Sequence, residues 1–357
     1  MSALSFRPGL LALGWLYLAL VCTVAPAGAA PLDLLDSPAP ENPLAGGSVL
    51  LDVTRAGDRL VAVGERGLVL TSWDNGRDWQ QAKVPVSVAL TRVFFSDAQQ
   101  GWAVGHGGVV LHSSDGGVTW ARQLDGVVAA LLEARAAAAT SDNARHRNAE
   151  RLVSEGADKP WLDLLFTDAS HGWLVGAYGL LFATEDGGRT WASRMGDIDN
   201  PGSLHLYAIR KVGEELFIVG EQGALFHSAG PDAPFTRVST PYQGSFFGVS
   251  VSREGNLLAY GLRGNAWRRS VDTGEWQEIP MGNEVTLTAD VRTQDGSLLL
   301  ADEAGRLSVS RDDGVTFKPV SVTAKGYVAG MVQAADGALI IVGGRGVQRI
   351  EAREVRP

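Results

Sequence analysis

One combination of residues recurs along the chain and could do chemistry. It joins a hydroxyl residue, an aspartate, a glycine and an aromatic residue at nearly constant spacing, as in SSDGGVTW from Ser113 to Trp120. A carboxylate beside a hydroxyl could transfer protons or help to bind a metal ion. The copies are SWDNGRDW from Ser72, SSDGGVTW, TEDGGRTW from Thr184, SVDTGEW from Ser270 and SRDDGVTF from Ser310, and a further unit keeps only Ser228 and Phe235.

The number of copies favours a structural role for this turn, which has the pattern of an Asp-box. A catalytic site occurs once in a fold, whereas this combination occurs five times. The aspartate can accept N–H groups of its own turn, the glycine can adopt positive φ, and the aromatic ring can pack against a neighbouring sheet. The turns also lack the alternating carboxylates and the final glutamate of a calcium loop, so we expect no metal and no cofactor. The residues assigned this structural role are Asp74, Gly76, Trp79, Asp115, Gly117, Trp120, Asp186, Gly188, Trp191, Asp272, Gly274, Trp276, Asp312, Gly314 and Phe317.

A second repeated pattern precedes each Asp-box and sets the period of the chain. It consists of apolar residues, a glycine, two variable residues and another glycine, as in VGHGGVVL from Val104. The second glycine recurs at intervals of 41, 71, 44, 41, 41 and 41 residues, where 71 is one period plus an insertion of 30. A period of about 40 residues with four short strands in each unit is typical of a β-propeller. We therefore predict an all-β fold, a seven-bladed β-propeller whose blades are marked by Gly67, Gly108, Gly179, Gly223, Gly264, Gly305 and Gly346.

The insertion between the second and third blades has a different composition. With its flanks it spans about residues 124–160, and Ala, Leu, Glu and Arg dominate it. These residues favour helix, so we predict two helices that are broken near Thr140–Asn143. In the second blade we expect strands at 91–95, 101–104, 109–112 and 120–123.

The ends of the chain lead to three further expectations. Residues 1–30 contain an apolar run and small residues before Ala30, which indicates a secretory signal, with an uncleaved membrane anchor as the alternative. Residues 31–48 form a leader and residues 49–357 the propeller. The last blade has no Asp-box, so its edge needs a cover, and the segment from Leu32 to Leu35 is the candidate for a ring-closing strand. The alternative is a disordered leader, because Pro38, Pro40 and Pro43 lie in it.

Composition restricts the partners and the compartment. The only cysteine, Cys22, lies in the signal, so the exported chain would form no disulfide. The formal net charge is −9 and there is no basic run, which argues against nucleic acid as a partner. We expect an exported, monomeric protein in the periplasm, or in the thylakoid lumen if the source is photosynthetic.

The order of strands places the Asp-boxes on one face of the ring and the glycine-flanked turns on the other. The second face also receives the connections between blades and the helical insertion. Variable loops on a rigid scaffold commonly carry binding function, although a single turn residue can also be merely solvated. Arginine and tyrosine are enriched in interface hot spots, so we assign partner binding to Arg66, Tyr178, Arg263 and Arg345.

An enzyme is the main alternative, because Asp-boxes also occur in sialidases. A sialidase resemblance would imply three arginines that grip a carboxylate, a Tyr–Glu pair and an acidic aspartate, and the early Arg-Ile-Pro motif of sialidases is absent. The chain also lacks a nucleophile elbow and a phosphate-binding loop. We therefore expect no catalytic residue and no small-molecule substrate. A glycan-binding protein and a passive envelope scaffold remain as alternatives.

The assembled pattern resembles the photosystem II stability/assembly factor family. The lines GWAVGHGGVVLHSSDGGVTW and GWLVGAYGLLFATEDGGRTW carry the resemblance, which extends from about Val49 to Ile350. It implies a non-enzymatic propeller that binds and helps to assemble or stabilise a membrane protein complex. The client implied by the family is a photosystem II subunit. The helical insertion resembles that of relatives in non-photosynthetic bacteria, for which an exporter is the implied client.

Overall fold

The computed structural model describes residues 33–355, and these residues form the seven-bladed propeller that the repeat predicts. The predicted signal and Cys22 lie outside the described residues. Blade 1 contains β1 Leu50–Ala56, β2 Arg59–Gly64, β3 Val69–Ser72 and β4 Gln80–Gln81. Blade 2 contains β5 Leu90–Phe95, β6 Gly101–Gly105, β7 Val110–Ser113 and β8 Ala121–Leu124. Blade 3 contains β9 Trp161–Phe166, β10 Gly172–Gly176, β11 Leu181–Thr184 and β12 Ala192–Ser193.

The remaining blades repeat this antiparallel order, with the first strand innermost. Blade 4 contains β13 Leu206–Val212, β14 Glu215–Gly220, β15 Leu225–Ser228 and β16 Thr236–Val238. Blade 5 contains β17 Phe246–Val251, β18 Leu257–Gly261, β19 Ala266–Arg269 and β20 Trp276–Glu278. Blade 6 contains β21 Leu287–Arg292, β22 Leu298–Asp302, β23 Arg306–Ser310 and β24 Lys318–Thr323. Blade 7 has three strands, β25 Val328–Gln333, β26 Leu339–Gly343 and β27 Gly346–Ile350.

The core lies between the blades. The second strands are buried on both faces, as in the run Arg59–Gly64, because each sheet is covered by its two neighbours. Each pair of adjacent blades therefore shares one apolar cluster, and seven such clusters follow one another around the ring. This arrangement explains why the strands read as short aliphatic runs rather than as alternating apolar and polar residues.

The insertion between blades 2 and 3 forms two helices, α1 Gly126–Ala138 and α2 Asn143–Glu155. The carboxylate of Asp125 accepts the N–H groups of Val127 and Val128 at the start of α1, and Asp142 caps α2 in the same way. The break between the helices falls at residues 139–142. Within residues 33–355, no helix combines the length and apolar character needed to cross a bilayer.

The ring closes in a different way from the one that we expected. Leu34 accepts the N–H of Ser87 at 2.8 Å and Ala39 donates to Val84 at 3.0 Å, so the leader runs beside the link between blades 1 and 2. Leu35 and Ala39 pack on the apolar cluster of those blades. A proline-rich segment can pack on this apolar cluster. It is poorly suited to form an added strand, because proline has no N–H group to donate to a neighbouring strand. The described residues add no fourth strand to blade 7, and Leu32 lies outside them.

Blades 7 and 1 instead meet through packing and polar side chains. Their shared cluster includes Leu50, Leu60 and Ile340. Arg349 of blade 7 donates to the backbone oxygen of Asn75 in blade 1 at 3.0 Å, and the N–H of Ala335 donates to the Asn75 side chain at 3.1 Å. These contacts link the two ends of the ring without a shared sheet.

Candidate binding face

The Asp-boxes lie on the face that also carries the turns between first and second strands, and this face is called the Asp-box face below. In blade 2, Asp115 accepts the N–H groups of Val118 and Thr119 and the hydroxyls of Ser113 and Thr119, at 2.6 to 3.1 Å. The indole N–H of Trp120 donates to Gly117 at 3.0 Å. Asp74, Asp186 and Asp312 make closely similar sets of bonds in blades 1, 3 and 6.

These bonds change the acidity of the carboxyl groups. Partial desolvation would raise the pKa of Asp312, but hydrogen bonds from Thr316 and Ser310 outweigh it and lower the pKa to about 2. The shortened turn of blade 5 differs from the others. Its Gly274 N–H donates to the backbone oxygen of Ser270 at 3.0 Å, and the Asp272 carboxylate accepts no hydrogen bond from residues 33–355.

The opposite face carries the turns between second and third strands, the links between blades and the helices, and is called the turn face below. The four residues that we assigned to partner binding, Arg66, Tyr178, Arg263 and Arg345, are all exposed at the same position of this turn, in blades 1, 3, 5 and 7. Arg66, Tyr178 and Arg263 each have φ of 57°, a left-handed conformation that costs free energy for a side-chain residue. The structure therefore distributes the four residues around the rim.

The glycine after each tip has a steric reason to recur. A Cβ on Gly67 would lie 2.0 Å from the backbone oxygen of Val86, and the N–H of Gly67 donates to Val88 at 2.7 Å. The turn is thus held against the link to the next blade. The tip residue before this glycine, Arg66, is exposed, so packing does not restrict its side chain.

Four interacting rings form a row on the turn face, from blade 3 to blade 5. The ring of Tyr178 lies 4.8 Å from that of His205, His205 lies 6.2 Å from Tyr207, and Tyr207 lies 5.2 Å from Phe247, all edge to face. Lys159 places its ammonium 4.9 Å from the Tyr178 ring centre. The side chain of Tyr178 remains 41% exposed and the other three rings are half-buried, so the row offers aromatic surface to a partner.

The helices are fixed beside this row. Glu133 of α1 is buried and receives two hydrogen bonds from Arg145 of α2, at 2.8 and 2.9 Å, and a further one from Ser193 of blade 3. A cavity of about 290 Å³ opens between α2, Tyr178 and the link from blade 3 to blade 4. The outer side of α1 leaves Val127, Val128 and Leu131 exposed.

The leader contributes a second opening on the turn face. A cavity of about 490 Å³ lies between residues 40–49 and the tip of blade 1, with Glu65, Arg66 and Leu68 on its wall. Arg345 of the neighbouring blade 7 lies beside Gly326 and the half-exposed Tyr327. Burial and the Glu65 carboxylate raise the pKa of Tyr327.

The mouth of the central channel lies at the middle of the turn face. Every first strand has a β-bulge at the same position, so each blade adds one extra residue there. All seven of these residues are half-buried. They are Leu51, Thr91, Leu162, Tyr207, Phe247, Thr288 and Ala329.

Just inside the mouth, a network of charged groups spans four blades and lines a cavity of about 210 Å³. Arg92 lies 3.2 Å from Asp52 and 2.9 Å from Asp163, and Arg210 lies 2.6 Å from the other oxygen of Asp163. The N–H groups of Leu164 and Ile209 also donate to Asp163. Each buried charge therefore has an opposite charge in contact, which burial requires.

The pKa values of the groups in this network shift in opposite directions. Burial raises the pKa of Asp52. Burial would do the same to Asp163, but Arg210 and Arg92 hold its pKa below the ordinary value. Burial and the Asp290 carboxylate, which accepts the hydroxyl of Tyr260 at 2.6 Å, raise the pKa of Tyr260 well above its ordinary value.

The channel offers a direct comparison with the sialidase alternative. The described residues that line it include two arginines, Arg92 and Arg210, and both are ion-paired with aspartates of the same channel. Its tyrosine, Tyr260, contacts Asp290 rather than a glutamate. Among residues 33–355, no group of three or more His, Cys, Asp or Glu side chains is placed to hold a metal ion.

Sequence reasoning missed the channel network, although a signal for it exists. When the blades are aligned on their bulges, Asp52, Arg92 and Asp163 occupy the same position, two residues after a buried apolar residue. Charges of alternating sign at one aligned position of a buried strand indicate neighbours that neutralise each other. The sequence did not predict that the four rings of the row touch, because their contacts join residues of three blades.

Comparison with known proteins gives the family. The family model described as photosynthesis system II assembly factor YCF48 matches residues 43–131 and 143–245, which is more than half of the chain. The photosystem II assembly protein Ycf48 of Synechococcus sp. (strain JA-2-3B'a(2-13)) is 26% identical over 232 residues, which cover 59% of this chain and 62% of that protein. The photosystem II assembly lipoprotein Ycf48 of Synechococcus sp. (strain CC9902) is 29% identical over 159 residues, 43% of this chain and 47% of that protein. The matches thus span about half to three fifths of these relatives.

Solved structures agree in fold. A structure of YCF48 bound to D1 peptide superposes with a TM-score of 0.63 and 17% identity, covering 86% of this chain and 94% of that one. YCF48 from Cyanidioschyzon merolae gives 0.61 and 15%, covering 89% and 99%. A streptogramin B lyase gives 0.64 and 14%, covering 85% and 93%, so the same fold also carries an enzyme. The repeat, the seven blades and the family model together show that the chain belongs to the photosystem II assembly factor YCF48 family.

Proposed function

We propose that this protein binds an exposed segment of a membrane protein through its turn face and thereby helps to assemble or stabilise the complex to which that protein belongs. The row of rings from Tyr178 to Phe247 carries the proposal. It combines accessible aromatic surface with exposed arginines on one rigid face, and these are the residue types that dominate interface hot spots.

Binding rather than catalysis is the activity that we propose. The titratable groups of the channel satisfy one another, so a substrate would have to displace Arg92 or Arg210 from buried ion pairs. The family is one of assembly factors. The solved relative bound to D1 peptide supports a peptide as the bound form of the partner.

The place of action and the client are also proposals. The predicted signal supports action outside the cytoplasm, and related proteins bear the name lipoprotein. A soluble propeller in that compartment would meet the exposed loops and termini of membrane proteins. We propose a membrane subunit as the client, either of a photosystem or of an exporter.

Site-specific photo-crosslinking in intact cells tests the proposal. A photoreactive phenylalanine replaces Tyr178 on the turn face or, as the matched control, Trp73, which is 64% exposed on the Asp-box face. We expect Tyr178→photoreactive Phe to yield one crosslinked membrane protein and the Trp73 replacement to yield much less of it. Crosslinking of that protein only from position 73, or of no membrane protein from either position, would contradict the proposal.

A further inference from the structure

The contact between blades 6 and 7 differs from the other six contacts between blades. In each of the other six, the aromatic residue at the end of the turn between third and fourth strands packs against the preceding blade: Trp79, Trp120, Trp191, Phe235, Trp276 and Phe317. The cluster between blades 6 and 7 contains no aromatic residue among residues 33–355. A cavity of about 230 Å³ lies there instead, opening on the Asp-box face.

Strand register shows that this cavity occupies the place of the missing ring. In blade 2, the Trp120 ring packs edge to face on Phe95 at 6.0 Å, and the adjoining Gly117 faces Val61 of blade 1. Phe95 of blade 2 and Gln333 of blade 7 lie at the same distance from the bulge of their first strand. Val61 of blade 1 and Leu299 of blade 6 also correspond, because each pairs with the residue at the same distance from the bulge of its own blade. Gln333 and Leu299 both line the cavity.

The strand that would carry this ring is absent from the same place. In the other six blades the third strand pairs with a fourth, but β27 pairs only with β26 among the described residues. The residues that follow, 351–355, form turns, and they place Ala352 and Val355 on the cavity wall. Among the described residues, the unpaired edge of β27 therefore lies next to a cavity large enough for an aromatic side chain.

We propose that blade 7 is an acceptor for an extended segment of a partner polypeptide, which adds a fourth strand to β27 and places a tryptophan or phenylalanine in the cavity. The six complete blades define this chemistry, because each fills the equivalent place with an aromatic residue at the start of a strand antiparallel to the third. Backbone hydrogen bonds along the edge would supply affinity and the cavity would supply selectivity, as in other cases of strand addition. This site lies on the face opposite to the one assigned under Proposed function, so the two are independent.

A peptide copied from a complete blade is the probe. A fluorescein-labelled peptide with the sequence of Ser114–Leu124, SDGGVTWARQL, supplies an Asp-box turn, a tryptophan and a fourth strand. We expect saturable binding to the purified protein by fluorescence anisotropy, and about tenfold or more weaker binding when the tryptophan is replaced by alanine. Equal affinity of the two peptides, or no binding of either, would overturn the proposal.

Two protein variants locate the bound peptide. Ala352→Trp fills the cavity from an exposed turn and should abolish binding, whereas Ala121→Trp adds the same side chain to the complete blade 2 and should leave binding unchanged. Thermal unfolding checks that both variants fold. A peptide with a photoreactive phenylalanine at the tryptophan position should crosslink to Leu299, Leu339 or Val355, and crosslinks confined to other blades would overturn the proposal.

Two further outcomes assign the cavity to another occupant and also overturn the proposal. Sedimentation that detects a dimer lost in Ala352→Trp would assign it to a second copy of the chain. Peptide binding that appears only after removal of residues 1–32 would assign it to that segment.

Loss of peptide binding in a variant with Arg66, Arg263 and Arg345 changed to alanine would place the peptide on the turn face. This variant therefore separates the present proposal from the proposed function.

Discussion

The two faces of the ring repeat in different ways. On the Asp-box face both the backbone turn and the side chains recur, and Asp115 and Asp312 make nearly the same hydrogen bonds in blades 2 and 6. On the turn face the left-handed turn recurs in blades 1 to 5, but its tip residue changes, from Arg66 through Gly107, Tyr178 and Gln222 to Arg263. A face on which the side chains repeat serves the fold, and a face on which only the backbone repeats leaves its side chains available for partners.

The largest change in the free energy of unfolding is expected in the channel, and it tests whether the channel charges stabilise the fold or bind a partner. Asp163→Ala leaves the half-buried Arg92 and Arg210 beside each other without the buried carboxylate that they share. We expect a loss of about 3–5 kcal/mol in the free energy of unfolding, measured by urea denaturation. Asp199→Ala on the surface is the control. Wild-type stability of Asp163→Ala would mean that the channel charges serve binding instead.

A smaller effect separates two aspartates of the same sequence motif. Asp115→Ala removes the acceptor of four hydrogen bonds and should cost about 1–3 kcal/mol of unfolding free energy. Asp272→Ala should change stability by no more than about 0.5 kcal/mol, because its carboxylate accepts none from the described residues. Equal losses in the two variants would contradict the link between these bonds and the fold.

The Asp-box face should also respond to acid. The folded-state pKa of Asp312 is lowered from 3.8 to about 2, so its charge stabilises the fold above about pH 4 and this contribution is lost as the pH falls towards 2. Because the carboxyl is solvent-exposed, we expect Asp312→Asn to cost about 1 kcal/mol at pH 7. The difference from the wild type should shrink between pH 4 and pH 2. A difference that is constant with pH would rule out the charge as its source.

The smallest expected effect concerns a turn tip. Arg263 has φ of 57°, which glycine adopts without strain, so Arg263→Gly should raise the unfolding free energy by about 0.5 kcal/mol. Arg263→Ala removes the same side chain but keeps the strained conformation, and is the matched control. Both should weaken partner binding alike. Opposite effects of the two variants on binding would show that turn conformation, rather than the arginine, matters.

The range of the interactions explains what the sequence could predict. The hydrogen bonds of the Asp115 carboxylate come from groups within four residues of it, so a short motif predicts the turn. The period of that motif predicts the number of blades. Asp163 and Arg210 are 47 residues apart and meet only because first strands adjoin in the ring. From the sequence we placed the leader beside blade 7, because the open edge of that blade suggested an added strand. The prolines of the leader instead favour packing beside Val84, in the link between blades 1 and 2.

Quantitative capture of membrane proteins from the cell envelope shows which face of the ring binds the partner. It compares the wild type, the turn-face variant with Arg66, Arg263 and Arg345 changed to alanine, and a control. The control changes Arg189, Arg253 and Lys318, three exposed cations of the Asp-box side, to alanine and so removes the same charge.

We expect the wild type and the control to recover the same membrane protein. The turn-face variant, folded by its thermal unfolding profile, should recover about tenfold less of it. Equal recovery by the turn-face variant, or loss in the control alone, would contradict the assignment of binding to the turn face.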